Sequence, residues 1–386
     1  MHYDLVVVGA GIQGAGVAQA AAAAGYSVLV IEQDGIAAAT SSKSSKLIHG
    51  GLRYLESGQL GLVRESLRER AILLKIAPDL VCLQPLHIPV YEHSTRPSWK
   101  IRLGLSLYAL LGGLRQANRF SSLPAEQWRQ LSGLKQEGLT AVYQYYEAQT
   151  DDAALTRAVL ASAVSLGAET LIPARFVAAE RRAGSCLVHI ENQGAQQTLE
   201  ARALINCAGP WANQVINGVQ PAMSTSPVEL VQGSHLLLPP LLKQYFYLES
   251  PSDQRAIFVL PWQGQLLVGT TETPHHQAPE LSHCLASEQA YLLETLAFYF
   301  PALDLTSVPV NSFAGLRVLP RSEKSAFSRS REVLISVDDE QRPMVLSVMG
   351  GKLTTYRATA LQVMKRLKGV LPKRTPKANT ASLPLG

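Results

Sequence analysis

Residues 3–14 read YDLVVVGAGIQG. Tyr3 to Val8 is an apolar, valine-rich run suited to a fully buried parallel strand. Gly9, Gly11 and Gly14 follow at once as G-x-G-x-x-G. The first glycine permits a tight turn, the second lets backbone approach a pyrophosphate, and the third lets a helix pack close on the strand. An alanine-rich helix is predicted from Ile12 to Ala24, ending at Gly25. Its N-terminus directs partial positive charge towards phosphates. A second strand, Ser27 to Ile31, ends at Glu32, whose carboxylate is placed for a ribose hydroxyl. Strand, turn, helix, strand and carboxylate together predict a dinucleotide site. The fingerprint alone does not separate NAD from FAD.

The next segment is richer in chemistry. Thr40 to Lys46 reads TSSKSSK, a run of small hydroxyls, and Ser44 to Glu56 reads SSKLIHGGLRYLE. That loop sets a glycine pair (Gly50, Gly51), an imidazole (His49), a guanidinium (Arg53) and a phenol (Tyr54) beside the cofactor. Further blocks are APDLV from Ala77, RPSWKIRLGLSLYALLG from Arg96, TDDAALT from Thr150 and LINCAGPWA from Leu204. QGSHLLLP from Gln232, FVLPWQGQLLVGTTE from Phe258, AGLRVL from Ala314 and GGKLTTYR from Gly350 continue the series. In this order, over essentially the whole chain, the blocks resemble FAD-dependent glycerol-3-phosphate dehydrogenases of the D-amino-acid-oxidase-like flavoprotein superfamily.

The resemblance implies FAD as cofactor and a secondary alcohol as substrate. Oxidation then sends a hydride from carbon to flavin N5 and a proton from the hydroxyl to a base. It implies that Arg317 clamps a substrate phosphate with help from Arg53, and that Lys352 lies near flavin and substrate. For isolated arginines and lysines a surface ion pair is the ordinary alternative. His235 is the candidate base, since imidazole titrates near neutrality; a structural histidine among leucines is the other reading. Tyr54 completes the expected substrate wall; Thr270 and Thr271 are read as hydrogen-bonding substrate hydroxyls, with ordinary strand threonines of good β propensity as the alternative. Cofactor contact is expected from Thr40, Ser41, Ser45, Lys46, Leu47, His49, Gly50 and Gly51. It is also expected from Ala208, Gly209 and Trp211 at a strand end, from Gly315, and from Gly350, Gly351, Leu353 and Thr354. Gly350 and Gly351 are read as sitting just before a last helix, with Lys352 at its start, and the resemblance implies that this helix points at the flavin pyrimidine edge; a helix capped by glycine for packing is the alternative.

Two residues depart from the family pattern. Glu272 stands where GTTD is usual, and Glu147 stands where Asp is usual. Both bear on substrate choice. The sequence reads SLPLG at its end, where bacterial and mitochondrial family members continue with a helical domain of about a hundred residues.

The predicted fold class is α/β: a Rossmann-like FAD-binding domain with a parallel sheet, and a cap with an antiparallel sheet. The cofactor domain is read as 1–80, 150–217 and 326–372, the cap as 81–149 and 218–325, and 373–386 as a tail. Asp151 or Asp152 caps a helix to Leu166, and strands follow near Thr170 to Ile172 and at Ala203 to Cys207. Ile257 to Pro261 and Gln265 to Thr270 form a hairpin through Gln263-Gly264. Ser287 to Tyr299 is a helix stopped by Pro301. Strands Val333 to Val337 and Met344 to Val348 precede the last helix. Residues 81–149 are expected to add helices to the cap.

Of 386 residues, 47% are hydrophobic and 17% charged, which excludes a disordered chain. The net charge of +5 suits an anionic substrate or an acidic membrane surface, while the scattered basic residues speak against nucleic acid. Cys82, Cys186, Cys207 and Cys284 form no C-x-x-C pair and are read as reduced thiols, with no metal site. His275 and His276 lack a third ligand. No signal segment and no run of about 18 apolar residues is seen. A cytoplasmic location is expected. The resemblance adds quinone or another electron acceptor, and peripheral contact with a membrane. Leu103 to Leu114 is nearly all apolar between basic flanks; we read it as buried, with an interfacial helix as the alternative. Two other functions remain open: oxidation of a 2-hydroxy acid or amine by a related flavoprotein, and flavin binding without catalysis.

Overall fold

A computed structural model describes residues 2–321 and 333–386. Two large sheets carry the fold. In the first, of nine strands, His2–Val8 lies at the centre. It pairs in parallel with Val28–Ile31 on one side and with Ala195–Asn206 on the other. Glu169–Leu171 extends the sheet beyond Val28–Ile31, and Val345–Met349 adds in parallel to Ala195–Asn206. Val28–Ile31 and Val345–Met349 are wholly or almost wholly apolar and buried throughout, as strands covered on both faces are. The helix Ile12–Ala23 packs on helices Asp152–Ser165 and Tyr356–Arg366. Gly16 makes the second contact possible: a Cβ there would overlap the Tyr356 ring.

The second sheet has ten strands and is almost wholly antiparallel. Val228–Leu238 is its long axis near the site, flanked by Gln265–Gly269 and Asn311–Pro320. The hairpin Ala256–Trp262 to Gln265–Gly269 turns at Gln263 and Gly264, both with positive φ (46° and 76°), as a two-residue hairpin requires. Helix Ala286–Tyr299 covers the outer face. Asp151 caps Asp152–Ser165 by accepting the Ala154 N–H at 2.9 Å.

Two expectations need correction and one is incomplete. Residues 81–149 add the helices Ser98–Leu111 and Ala125–Trp128, but also two long paired strands, Val81–Tyr91 and Leu139–Thr150, that were not foreseen. The last helix begins at Tyr356, not at Lys352; the glycine pair before it sits in a turn, with φ of 73° and 82°. Finally, Ser98–Leu111 is not buried. Leu105, Tyr108 and Ala109 face the core, but Trp99 is 68% exposed, Leu103 62% and Leu110 61%. A cluster of aromatic and aliphatic side chains under the helix fills its inner face, and nothing covers the outer one among the described residues.

Residues 373–386 run back over the first sheet's helices. Lys377 N–H donates to Ala23 O and Leu385 N–H to Ile76 O, both at 2.7 Å. A meander, Arg175–Arg182 to Ser185–Asn192 to Ala195–Asn206, extends the first sheet and was not foreseen. The expected division at 325/326 falls outside the described residues.

Candidate active site

A continuous cavity of about 550 Å³ runs from the first turn, along the carboxyl ends of the parallel strands, into the second sheet. At one end lie Glu32 and Ala174 to Val177. Glu32 Oε2 accepts the Ala10 N–H at 2.8 Å and Oε1 the Asp34 N–H at 3.0 Å. A carboxylate keeps further lone pairs for hydroxyl donors. The glycine fingerprint behaves as the chemistry requires. Gly9 has φ of 103°, and a Cβ there would meet Cys207 O at 2.6 Å. A Cβ on Gly14 would overlap Gly9 O, so Gly14 serves the packing of helix on turn and does not line the cavity. Ser41 Oγ accepts the Ile12 N–H at 2.9 Å, close above Gly11.

Most of the expected cofactor residues line this space. Thr40, Ser41, Ser45, Leu47, His49 and Gly51 do so from one side. Ala208, Gly209, Trp211 and Gly315 do so from another, with Gly350, Gly351, Lys352, Leu353 and Thr354 closing the far wall. Thr354 Oγ1 accepts the His49 N–H at 3.1 Å, joining the two walls. Lys46 and Gly50 are corrections. Lys46 is buried, with its ammonium on Asp152 Oδ1 at 2.7 Å and Ser42 O at 2.6 Å. Gly50 is pinned from behind, its N–H donating to Tyr108 Oη at 3.0 Å and Glu147 Oε2 at 3.3 Å. Both shape the loop from outside the cavity.

The cationic end gathers Arg53, Arg317 and Lys352 with Tyr54, Thr270 and His235. Arg317 Nη2 donates to Thr270 Oγ1 at 2.8 Å, and Nη1 to Thr271 O at 3.1 Å. Its guanidinium lies across Gly233, where a Cβ would collide with it and with Thr270 Oγ1. Glu272 Oε1 stands 3.8 Å from both Arg53 Nη2 and Arg317 Nη1. Burial and the charge of Arg53 push the Arg317 guanidinium down, to about 10, so it stays charged at neutral pH. Lys352 Nζ sits 3.8 Å from the centre of the Tyr54 ring, a cation–π arrangement. His235 is buried, stacked on Phe313 with centroids 5.0 Å apart, and its Nε2 pairs with Ser45 Oγ at 2.8 Å. Burial first, then the charges of Arg317 and Lys46, hold its pKa well below the ordinary histidine value. The imidazole is therefore neutral in the site as described.

Sequence reasoning missed Gly233, Phe313 and Arg255, which donates to Glu272 O at 3.0 Å. Gly233 had a signal, the QGSH block itself. The other two are set by pairing across the second sheet, which no local pattern reports.

These donors and glycines fit a flavin dinucleotide, and the relatives agree. A family model for FAD dependent oxidoreductases matches residues 4–357. The chain belongs to the FAD dependent oxidoreductase family. It is 38% identical over 99% of its length to a glycerol-3-phosphate dehydrogenase of Pseudomonas aeruginosa, covering 75% of that protein. It is 36% identical over 96% of its length to a D-erythritol 1-phosphate dehydrogenase of Brucella abortus, covering 74% of it. The structure of a glycerol-3-phosphate dehydrogenase from Bacillus halodurans, complexed with FAD, superposes with a TM-score of 0.78 at 26% identity, over 100% of this chain and 68% of that one. The protein is an FAD-dependent oxidoreductase, and its α/β fold with parallel and antiparallel sheets is that of the family. Among the described residues no helix is long and apolar enough to cross a membrane.

Proposed function

We propose that the protein oxidises the secondary hydroxyl of a small phosphorylated polyol, sn-glycerol 3-phosphate before others, to the ketone. One observation carries the reading: two guanidiniums, Arg53 and Arg317, converge on the cavity end that also holds a neutral buried imidazole, His235. An uncharged alcohol has no use for that pair; a phosphate dianion has.

In this reading Arg317 and Arg53 bind the phosphate, and Thr270 and Thr271 hold Arg317 in place. Glu272 offsets part of the cationic charge before substrate arrives. His235 takes the hydroxyl proton. Phosphate bound on Arg317 counters one of the charges that depress the imidazole, so the base strengthens when substrate is in place. Lys352 and Tyr54 flank the reacting carbon. Bound FAD supplies the acceptor for the electron pair that leaves carbon. Gly9, Gly11 and Glu32 would hold its adenosine pyrophosphate, and the walls from Ser41 to Gly51 and Gly350 to Thr354 would hold its ring. The same reading assigns 1–80, 150–217 and 326–372 to the cofactor and 81–149 and 218–325 to the substrate.

Electrons then pass to quinone or another acceptor. The uncovered apolar face of Ser98–Leu111, with exposed Lys100, Arg102, Arg115 and Arg119 around it, supports peripheral contact with an anionic membrane. The Brucella relative, named for D-erythritol 1-phosphate, makes the length of the polyol the point to test. Anaerobic addition of sn-glycerol 3-phosphate should bleach the yellow protein faster than D-erythritol 1-phosphate, 2-hydroxyglutarate or amino acids. Preferential bleaching by one of the others would replace the substrate named here.

A further inference from the structure

We propose that Glu288, outside the cavity, is the positioning residue that fixes the anion clamp relative to the base. The inference rests on the proposed roles of Arg317 and His235. Glu288 lies near the start of helix Ala286–Tyr299 and is only 4% exposed. Its carboxylate accepts five hydrogen bonds. Oε2 takes Gln232 Nε2 at 2.7 Å, Ser234 Oγ at 2.7 Å and the Leu285 N–H at 3.0 Å. Oε1 takes Thr271 Oγ1 at 2.7 Å and Thr273 Oγ1 at 2.8 Å.

These partners stand on both sides of the site. Ser234 precedes His235 in Val228–Leu238. Thr271 presents the carbonyl that holds Arg317 Nη1 and follows Thr270, which holds Nη2. The two segments are also joined directly, as the Ser234 N–H donates to Thr271 Oγ1 at 2.8 Å. A hydroxyl has one proton. The Ser234 N–H can only donate, so Thr271 Oγ1 accepts it and the one hydroxyl proton goes to Glu288. The carboxylate thus holds the Ser234 and Thr271 segments together at one point. An amide at 288 offers one acceptor oxygen and brings two donors, so several of the five bonds cannot form. A capping role alone needs only the Leu285 N–H.

The test uses the flavin-loaded protein and two ligands, inorganic phosphate by calorimetry and sn-glycerol 3-phosphate by kinetics. Glu288→Gln should weaken phosphate binding and raise KM by about tenfold, with kcat changed less and FAD content kept. Unchanged phosphate affinity in a folded, yellow Glu288→Gln protein overturns the inference. Thr271→Val should reproduce the loss while Thr273→Val, whose hydroxyl touches neither segment's clamp bonds, keeps wild-type affinity. Wild-type affinity in Thr271→Val would show that Glu288 only caps its helix, and equal losses in the two threonine variants would show that the clamp does not depend on Thr271 in particular; either overturns it too. This pair also serves if Glu288→Gln does not fold. Weakened phosphate binding in a protein that leaves glycerol 3-phosphate untouched would sink the substrate reading and leave this inference standing.

Discussion

Ser45 Oγ lies 2.8 Å from His235 Nε2, while Nδ1 of that ring is buried with no partner among the described residues. The serine therefore fixes the orientation of the imidazole. The resemblance had given Ser45 to the cofactor loop; the structure brings it to the base as well. Removing the base, as in His235→Asn, should lower kcat by about 10²- to 10⁴-fold with FAD retained. Ser45→Ala should cost less, about tenfold. Stopped-flow bleaching under substrate saturation reads both, and wild-type rates in either variant would remove that residue from the chemistry.

The burial of His235 sets a pH dependence. Its pKa is held well below the ordinary value by burial and by the charges of Arg317 and Lys46. A group with a depressed pKa keeps its basic form down to more acidic pH. The acid limb of kcat/KM, which reports the free enzyme, should therefore lie below about 6.5. A limb at or above that value would show that another group takes the proton.

Gly233 faces the Arg317 guanidinium so closely that a methyl group has no room. Gly233→Ala should displace the guanidinium, the flexible partner, rather than the strand. We expect KM for the phosphorylated substrate to rise about tenfold or more, since a charge-assisted contact is lost. FAD content and thermal stability should stay near wild type. A variant with unaltered KM would mean that phosphate binds elsewhere.

Arg70 is a stability element near the flavin loop. It is 1% exposed and donates to Glu147, Asn118 and Tyr146 O. Arg70→Ala leaves Glu147 buried without its charge partner and should cost about 3–5 kcal/mol. Calorimetric unfolding measures this; a loss under about 1 kcal/mol would show that Glu147 takes up a proton at little cost.

The outer face of Ser98–Leu111 gives a binding prediction. Trp99→Glu with Leu103→Glu should reduce cosedimentation with phosphatidylglycerol vesicles by about tenfold or more. Turnover with a water-soluble dye should not change. Equal sedimentation of both proteins would assign the face to another partner.

Local signals account for the parts of the fold that were legible. The glycine fingerprint, the Asp151 cap and the Gln263-Gly264 turn each depend on a few adjacent residues, and each lies where the sequence places it. The pairing of Val81–Tyr91 with Leu139–Thr150 was not legible because it joins segments far apart in the chain; Pro85 and Pro89 are tolerated in the first strand because pairing on its other side covers only Leu86 and His87. The exposure of Ser98–Leu111 was also hidden, since apolar composition does not say which face is covered. In the site, motif residues could be named singly, but their partners could not. Ser45 meets His235 across 190 positions, and Lys46 meets Asp152 across 106. Such pairs exist only once the two sheets are assembled.

The loop from Thr40 to Tyr54 belongs to both layers. Ser41 ties it to the start of helix Ile12–Ala23, Leu47–Ile48 is a strand of the second sheet, and Thr354 meets it at His49. The layers consequently have no hinge between them at this point, because swinging one from the other would tear those bonds.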